Sequence, residues 1–504
     1  MTSRWVVAVA VSACAAAAAA APRAPAGHAF RVEEATIASV HSAMQAHRLT
    51  CRGLVDAYLR RIAAYDKTGP ALNAIVTLNP DATRQADELD RRFAKSGLTG
   101  PLHCVPMIVK DNFETEGLQT TDGSLAFAGY KPLHDATQVA RAKAAGAIVL
   151  AKSNMAEWAF SPVETVSSIL PGYTRNPYAL DRVTAGSSGG TAAAIAANFG
   201  LVGLGSDTGD SIRGPASHND LAGIRSTMGL TSRAGVFPLN LRADIAGPIT
   251  RTVEDAAAVL QVVAGPDPRD PVTEAAKDHP APDYAKALDR NALRGVRIGV
   301  LHEAYDRPSA DPEVLARFEA GLEALKRAGA VIVDPAKVGG FSALKRPDEP
   351  CMGFKYDLNQ FLKDRTGQVP VSDLAAIIKS GKFHPSVEKR LEDAEASAQN
   401  GPDSAACKAD TAFRGQVRDA VLTTMDRLKL DAFVYPTWSN PPRLIGDLNT
   451  PGGDNSQVFS PLTGMPAINV PMGYTRRGRL PVGMTFYGRA WAEAQLIGYA
   501  YAYE

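Results

Sequence analysis

With 504 residues, 45% of them hydrophobic and 21% charged, and a net charge of +1, the chain can bury a large core. It lacks the charge excess of a nucleic-acid binder or of a protein that adheres to anionic membranes. A prior of one domain per ~150 residues would give about three domains. The first residues stand apart: Arg4 supplies a short positive region, Trp5 to Ala13 are mostly apolar, and alanines lead on to Pro22. This reads as a secretory leader over residues 1–29, cleaved in the alanine-rich stretch or after Ala29. Alternatively, Val11-Ser12-Ala13-Cys14 resembles a lipobox, in which case a lipid on Cys14 would be the one membrane attachment. An uncleaved transmembrane anchor fits less well, because alanine is weakly hydrophobic. Export to the periplasm or the exterior is therefore expected.

Export would carry Cys51, Cys104, Cys351 and Cys407 into an oxidising compartment. Four cysteines allow three full pairings. Cys351 with Cys407 is favoured weakly, since both lie in the irregular middle of the chain, and unpaired buried thiols are the alternative. No Cys or His cluster has metal-ligand spacing, so neither metal nor cofactor is expected.

The elements run as follows. Ile37 to Tyr65 is amphipathic with Leu54, Val55, Tyr58, Leu59 and Ile62 at helical spacing. Val105 to Val109 reads as a buried strand ending in Lys110-Asp111-Asn112. A helix over Asp135 to Ala145 closes at Gly146, and the strand Ala147 to Leu150 follows. After the Gly/Ser-rich stretch Thr184 to Gly190 come a small-residue helix, Thr191 to Asn198, and the strand Leu201 to Leu204. That strand enters the loop Gly205-Ser206-Asp207-Thr208-Gly209-Asp210-Ser211-Ile212-Arg213-Gly214-Pro215. Pro266 to Pro271 marks a surface connection. Beyond it lie the strand Val296 to Leu301, a helix with Asp311 as N-cap and Pro312 at its first position, and the strand Val331 to Val333. Gly340 to Leu430 is helical but irregular and reads as a variable wall over a site. Strands return at Ala432 to Tyr435 and Ala467 to Val470. The alternation of helix and strand makes the chain α/β.

Two readings compete for the serines. Gly186-Ser187-Ser188-Gly189-Gly190 formally fits the G-x-S-x-G nucleophile elbow. An elbow needs a strand leading into it, however, and Tyr173 to Thr184 is loop-like. His218, His279, His302 and His384 also sit in no recognisable triad setting.

The second reading joins distant segments. Gly100 to Asn112 resembles the lysine strand of the amidase signature family, with Cys104 where glycine is common. Ala185 to Arg213 resembles that family's Gly/Ser-rich signature, and Ser187 and Ser211 lie 211 − 187 = 24 residues apart, the family spacing. Lys152 to Glu157, Gly247 to Asp255 and Leu462 to Ala467 resemble further family segments, in family order. The likeness spans nearly the whole chain and replaces the three-domain prior with one domain over 30–504, its pocket region about 265–430. It implies a three-layer α/β/α sandwich around a large mixed, mostly parallel twisted sheet.

The resemblance further implies a Ser-cisSer-Lys triad for amide hydrolysis through an acyl-enzyme. Ser211 is the nucleophile, Ser187 relays protons, and Lys110 is the base, neutral through burial beside the apolar strand. Backbone N–H groups of Thr208, Gly209, Asp210 and Ser211 would hold the oxyanion, with Asp207 and Arg213 bracing the loop. Asp210 departs from the family's usual glycine. Its carboxylate is expected to point away from the oxyanion, toward a donor such as Ser188 or Arg213. His103 and Cys104 read as packing residues, and Trp158 and Phe160 as candidate substrate contacts. The partner is then a small-molecule amide, not nucleic acid, and the protein a monomer or homodimer. Aryl acylamides, peptide amides, fatty-acid amides and carbamates all fit. The alternatives are an A-type component of a tRNA-dependent amidotransferase, which the leader and Gly214-Pro215 disfavour, and a catalytically inactive exported binder.

Overall fold

A computed structural model describes residue 1 and residues 30–349, 351–398 and 401–504. The expected leader over residues 2–29, with its alternative lipid site at Cys14, lies outside the described residues. Among the described residues, eleven strands form one sheet: β1 Ile75–Leu78, β2 Pro106–Lys110, β3 Ile148–Ser153, β4 Val202–Asp207, β5 Ala222–Arg225, β6 Ile245–Thr250, β7 Arg297–Val300, β8 Val331–Val333, β9 Ala432–Pro436, β10 Ala467–Thr475 and β11 Leu480–Tyr487. Their order is β1-β3-β2-β4-β6-β5-β10-β11-β9-β7-β8. The sheet is mixed, as expected of the three-layer α/β/α class, but its parallel share is smaller than the sequence suggested. Parallel pairs occur in two blocks, β3-β2-β4 and β9-β7-β8, separated by an antiparallel centre. Every residue of β2, β3 and β4 is buried, the near-continuous apolar pattern of strands covered on both faces.

Local chemistry explains where the elements start and stop. The helix expected over Ile37 to Tyr65 is two, Ile37–Gln45 and Cys51–Tyr65. His47 adopts a left-handed backbone between them, and the Thr50 hydroxyl caps the second by accepting from the Gly53 N–H. Asp311 caps the helix Pro312–Arg327 as its sequence predicts, accepting from the N–H groups of Glu313 and Val314. The small-residue helix begins at Gly189, two residues earlier than expected. It lies close to the chain segment after β3, where a Cβ at Gly190 would fall 2.2 Å from the Asn154 carbonyl oxygen.

One main core draws on residues from Val32 to Ala500. A second, largely aromatic cluster joins Phe127, Trp158, Phe160 and Phe237 to Phe354 and Leu358. The latter belong to the irregular helical wall, whose helices are Phe354–Lys363, Leu374–Ser380 and Glu388–Ala396. Within 265–430 the strands β7 and β8 belong to the sheet, so the wall proper is the stretch between Cys351 and Cys407. These two cysteines form a disulfide with Cα atoms 4.6 Å apart. The remaining pair, Cys51 and Cys104, is bonded as well, so the unpaired-thiol alternative does not hold.

Candidate active site

Lys110 ends β2 and Ser206 lies near the end of the adjacent parallel strand β4, a register that carries both side chains to one end of the sheet. Lys110 is fully buried. Its Nζ donates to Ser187 Oγ at 2.7 Å and to Ser206 Oγ at 2.8 Å. Asn112 Nδ2 also donates to Ser206 Oγ, at 2.9 Å. Among the described residues no carboxylate lies within ion-pair distance of Lys110. Burial therefore dominates and pulls its ammonium from 10.5 to about 7, against weaker opposing fields from Asp122, Asp207 and Asp244. The neighbouring Asp111 is different: its carboxylate pairs at 3.3 Å with buried Lys152.

The peptide bond Gly186–Ser187 is cis. A Cβ at Gly186 would fall 2.4 Å from the Ser161 carbonyl oxygen, so the serine loop packs directly on backbone. Ser188, the serine of the elbow reading, donates to the Ser206 carbonyl at 3.2 Å. Among the described residues no histidine bonds to Ser187, Ser188 or Ser211. Ser211 is 5% exposed on the loop after β4, and no hydrogen bond joins it to Ser187.

That loop is tied down from below. Asp207 accepts from Arg213 Nε at 3.0 Å and from Arg225 Nη1 at 3.0 Å, all three side chains being fully buried. Burial alone would raise the Asp207 carboxyl, but the two guanidiniums outweigh it and hold it at about 2. Arg213 also donates to the Gly209 carbonyl at 2.6 Å. Asp207 and Arg213 thus sit where bracing was expected, and Arg225 is an unforeseen third member. Above this brace, the backbone N–H groups of Thr208, Gly209, Asp210 and Ser211 make no hydrogen bond with another group among the described residues. The Thr208 hydroxyl donates to Asp244 at 2.6 Å.

Asp210 is fully buried, and its side chain takes neither partner that the sequence suggested. Trp438, two residues beyond β9, donates Nε1 to Asp210 Oδ2 at 2.5 Å. Gly214 makes room for this contact: a Cβ there would lie 2.3 Å from Asp210 Oδ2 and 2.7 Å from Trp438 Nε1.

Trp158 and Phe160 sit in the aromatic cluster, with Phe354 at 6.2 and 4.9 Å between ring centres. The residue between them, Ala159, lines a narrow cavity together with Asn112, Ser206, Thr208, Phe237 and Asp244. His103 is buried, and Cys104 is held in its disulfide. Sequence reasoning missed Ser206, Arg225 and Trp438. Ser206 was visible only as the residue before Asp207, and the other two come from β5 and from the segment after β9, which the fold alone brings to the loop.

The family model described as Amidase matches residues 53–497. The chain belongs to the amidase signature family. Among solved members, it is similar to the peptide amidase of Stenotrophomonas maltophilia, with a TM-score of 0.83 and 36% identity over 94% of this chain and 96% of that one. A probable amidase of Arabidopsis thaliana is 34% identical over 94% of this chain and 90% of its own length. The A-type component of the glutamyl-tRNA(Gln) amidotransferase of Halorhodospira halophila is 33% identical, covering 94% and 97%.

Proposed function

We propose that this amidase signature protein hydrolyses carboxylic amides to acid and amine or ammonia through an acyl-enzyme on Ser211. The observation that carries the reading is Lys110: fully buried, free of a carboxylate partner and 2.7 Å from Ser187 Oγ. A lysine held near neutrality in this way is a base at physiological pH. Ser211 attacks the carbonyl carbon while Ser187 accepts its proton and passes one to Lys110. The same route returns a proton to the departing amine, and water then releases the acid by the reverse relay. The four unengaged N–H groups of residues 208–211 suit the oxyanion, whose stabilisation by each such donor is worth roughly 10²–10³ in rate.

Likeness to a peptide amidase favours a peptide amide as substrate over aryl acylamides, fatty-acid amides and carbamates. We place the acyl side against Ala159, with Trp158 and Phe160 shaping the wall around it. The two disulfides support residence in the periplasm or outside the cell, where they persist. A monomer or homodimer needing no nucleic acid suffices for this chemistry.

Ammonia or amine release across a panel of peptide amides, anilides, primary amides and carbamates tests the proposal, with Ser211→Ala as the blank. Turnover with fluorophosphonate labelling of Ser211 is expected. No label and no turnover would favour an inactive binder. The similarity to an amidotransferase component favours a second reading, and glutamine hydrolysis that appears only with added partner proteins would select it.

A further inference from the structure

The departure at Asp210 adds a device to the reaction proposed above, and the inference rests on that reading. Asp454 pairs with Trp438 in an isolated antiparallel bridge, and Trp438 donates to Asp210, so the fold sets the two carboxyl groups side by side, where each acts on the other. Two carboxylates this close, one of them fully buried, do not both ionise. The available donors decide which one holds the proton. Asp210 Oδ2 accepts from Trp438 Nε1, while Oδ1, equally buried, receives no donor among the described residues. Asp454 is supplied with donors on both oxygens: Oδ1 from the Ser456 N–H at 2.9 Å and Oδ2 from Gln457 Nε2 at 2.6 Å. Asp454 is half-buried and Asp210 fully buried, so charge is cheaper on Asp454. A proton on Asp210 Oδ1, donated to Asp454, satisfies the orphaned oxygen and leaves one charge in the better-supplied place.

We propose that Asp210 is a neutral carboxylic acid donating to the Asp454 carboxylate, and that this bond, with the Trp438 contact, is a positioning device for the loop that carries Ser211. Burial first, then the Asp454 charge, push the Asp210 carboxyl well above its ordinary range. The other groups facing the pair are Arg213 and Asp207 from the loop's own brace and Tyr435 from β9. His218 packs against Trp438 in a tilted arrangement with ring centres 4.7 Å apart. Burial pulls this imidazole down to about 3, so it contributes no charge at neutral pH.

The segment holding Asp454 is packed onto the loop, not merely near it. A Cβ at Gly209 would fall 2.0 Å from Gln457 Oε1, and Arg213 donates to the Ser456 carbonyl at 3.3 Å. The backbone N–H of Asp210 is one of the proposed oxyanion donors, so anchoring its side chain fixes the direction of that N–H. Protonation also removes a negative charge that would oppose the oxyanion. Asp210 is thus a positioning residue acting through its backbone.

Asp210→Asn and Asp210→Ala are the deciding variants. The asparagine amide donates to Asp454 in place of the acid, and its carbonyl still accepts from Trp438. Asp210→Asn is therefore expected to retain at least about tenfold more kcat than Asp210→Ala on an N-acylated amino-acid amide. Asp210→Ala is expected to lose about a hundredfold or more in kcat with KM much less affected, the scale of one misdirected oxyanion donor. Infrared spectroscopy at about pH 8 reads the proton without any turnover, as a protonated-carboxyl carbonyl band in the wild-type minus Asp210→Asn difference spectrum, in which other buried acids such as Asp122 cancel. Asparagine as damaging as alanine, alanine with full kcat, or no such band in the difference spectrum would each overturn the proposal. Wild-type turnover and Ser211 labelling are measured first. If these fail while the band is present, the amidase reading falls, and the protonated pair stands.

Discussion

Replacing Lys110 by methionine is expected to abolish activity and to make the protein more stable at neutral pH. Burial moves the Lys110 ammonium from 10.5 to about 7, which at about 1.4 kcal/mol per tenfold change in proton affinity amounts to about 5 kcal/mol. At pH 7 the unfolded chain keeps this lysine almost fully charged while the native state holds it about half neutral. Roughly 4 kcal/mol of the displacement then weighs against folding. Methionine has no charge to desolvate. It forfeits the bonds to Ser187 and Ser206, at about 1 kcal/mol each, leaving a net gain of about 2 kcal/mol. Between pH 7 and 10.5 the unfolded chain binds more protons than the native one, so wild-type stability rises with pH across that window and the advantage of the variant shrinks. Urea unfolding of both proteins at about pH 7 and about pH 10 measures this directly. A variant less stable than wild type at pH 7, or a difference that does not narrow as pH rises, refutes the reasoning.

The same group sets the acid limb of catalysis: kcat/KM is expected to fall about tenfold from pH 8 to pH 6 as Lys110 takes up a proton, seen in a pH-rate profile on one amide. Asp207→Ala leaves Arg213 and Arg225 buried without their carboxylate and is expected to cost about 3–5 kcal/mol, read by urea unfolding. Opening the Cys351–Cys407 disulfide with paired serines frees a 56-residue span and is expected to cost about 4 kcal/mol on the chain-entropy model, read as a fall in Tm. Gly214→Ala drives a methyl group into the Asp210–Trp438 contact; circular dichroism is expected to stay near wild type while kcat falls by about two orders of magnitude.

Much of this site was written in local sequence. Lys110 closes an apolar run, the two serines stand at a fixed interval, and Asp207 and Arg213 flank one loop, so their neighbourhood follows from the strand and its turn. What stayed hidden depends on strands distant in sequence. Arg225 reaches Asp207 from β5 and Trp438 reaches Asp210 from the segment just after β9, and neither residue has a pattern of its own to mark it. The partner of Asp210 was misjudged for the same reason: Ser188 and Arg213 are near in sequence, whereas the fold supplied an indole from 228 residues away. The parallel share of the sheet was overestimated because helix-strand alternation dominates the first half of the chain, while β10 and β11 form a plain antiparallel pair near its end.

The disulfide beneath the helical wall has a further consequence. The chain leaves the body at Cys351 and re-enters it at Cys407, with Cα atoms 4.6 Å apart. The described residues between them form an excursion with a single doorstep, joined to the rest through aromatic packing and polar contacts such as Arg365 with Glu114 and Arg390 with the Phe160 carbonyl. Such a segment behaves as an interchangeable cassette. It can be lengthened, shortened or traded between relatives while the sheet, the serine loop and Lys110 keep their coordinates. Selectivity could then evolve in one stretch of the gene while the catalytic apparatus stays fixed.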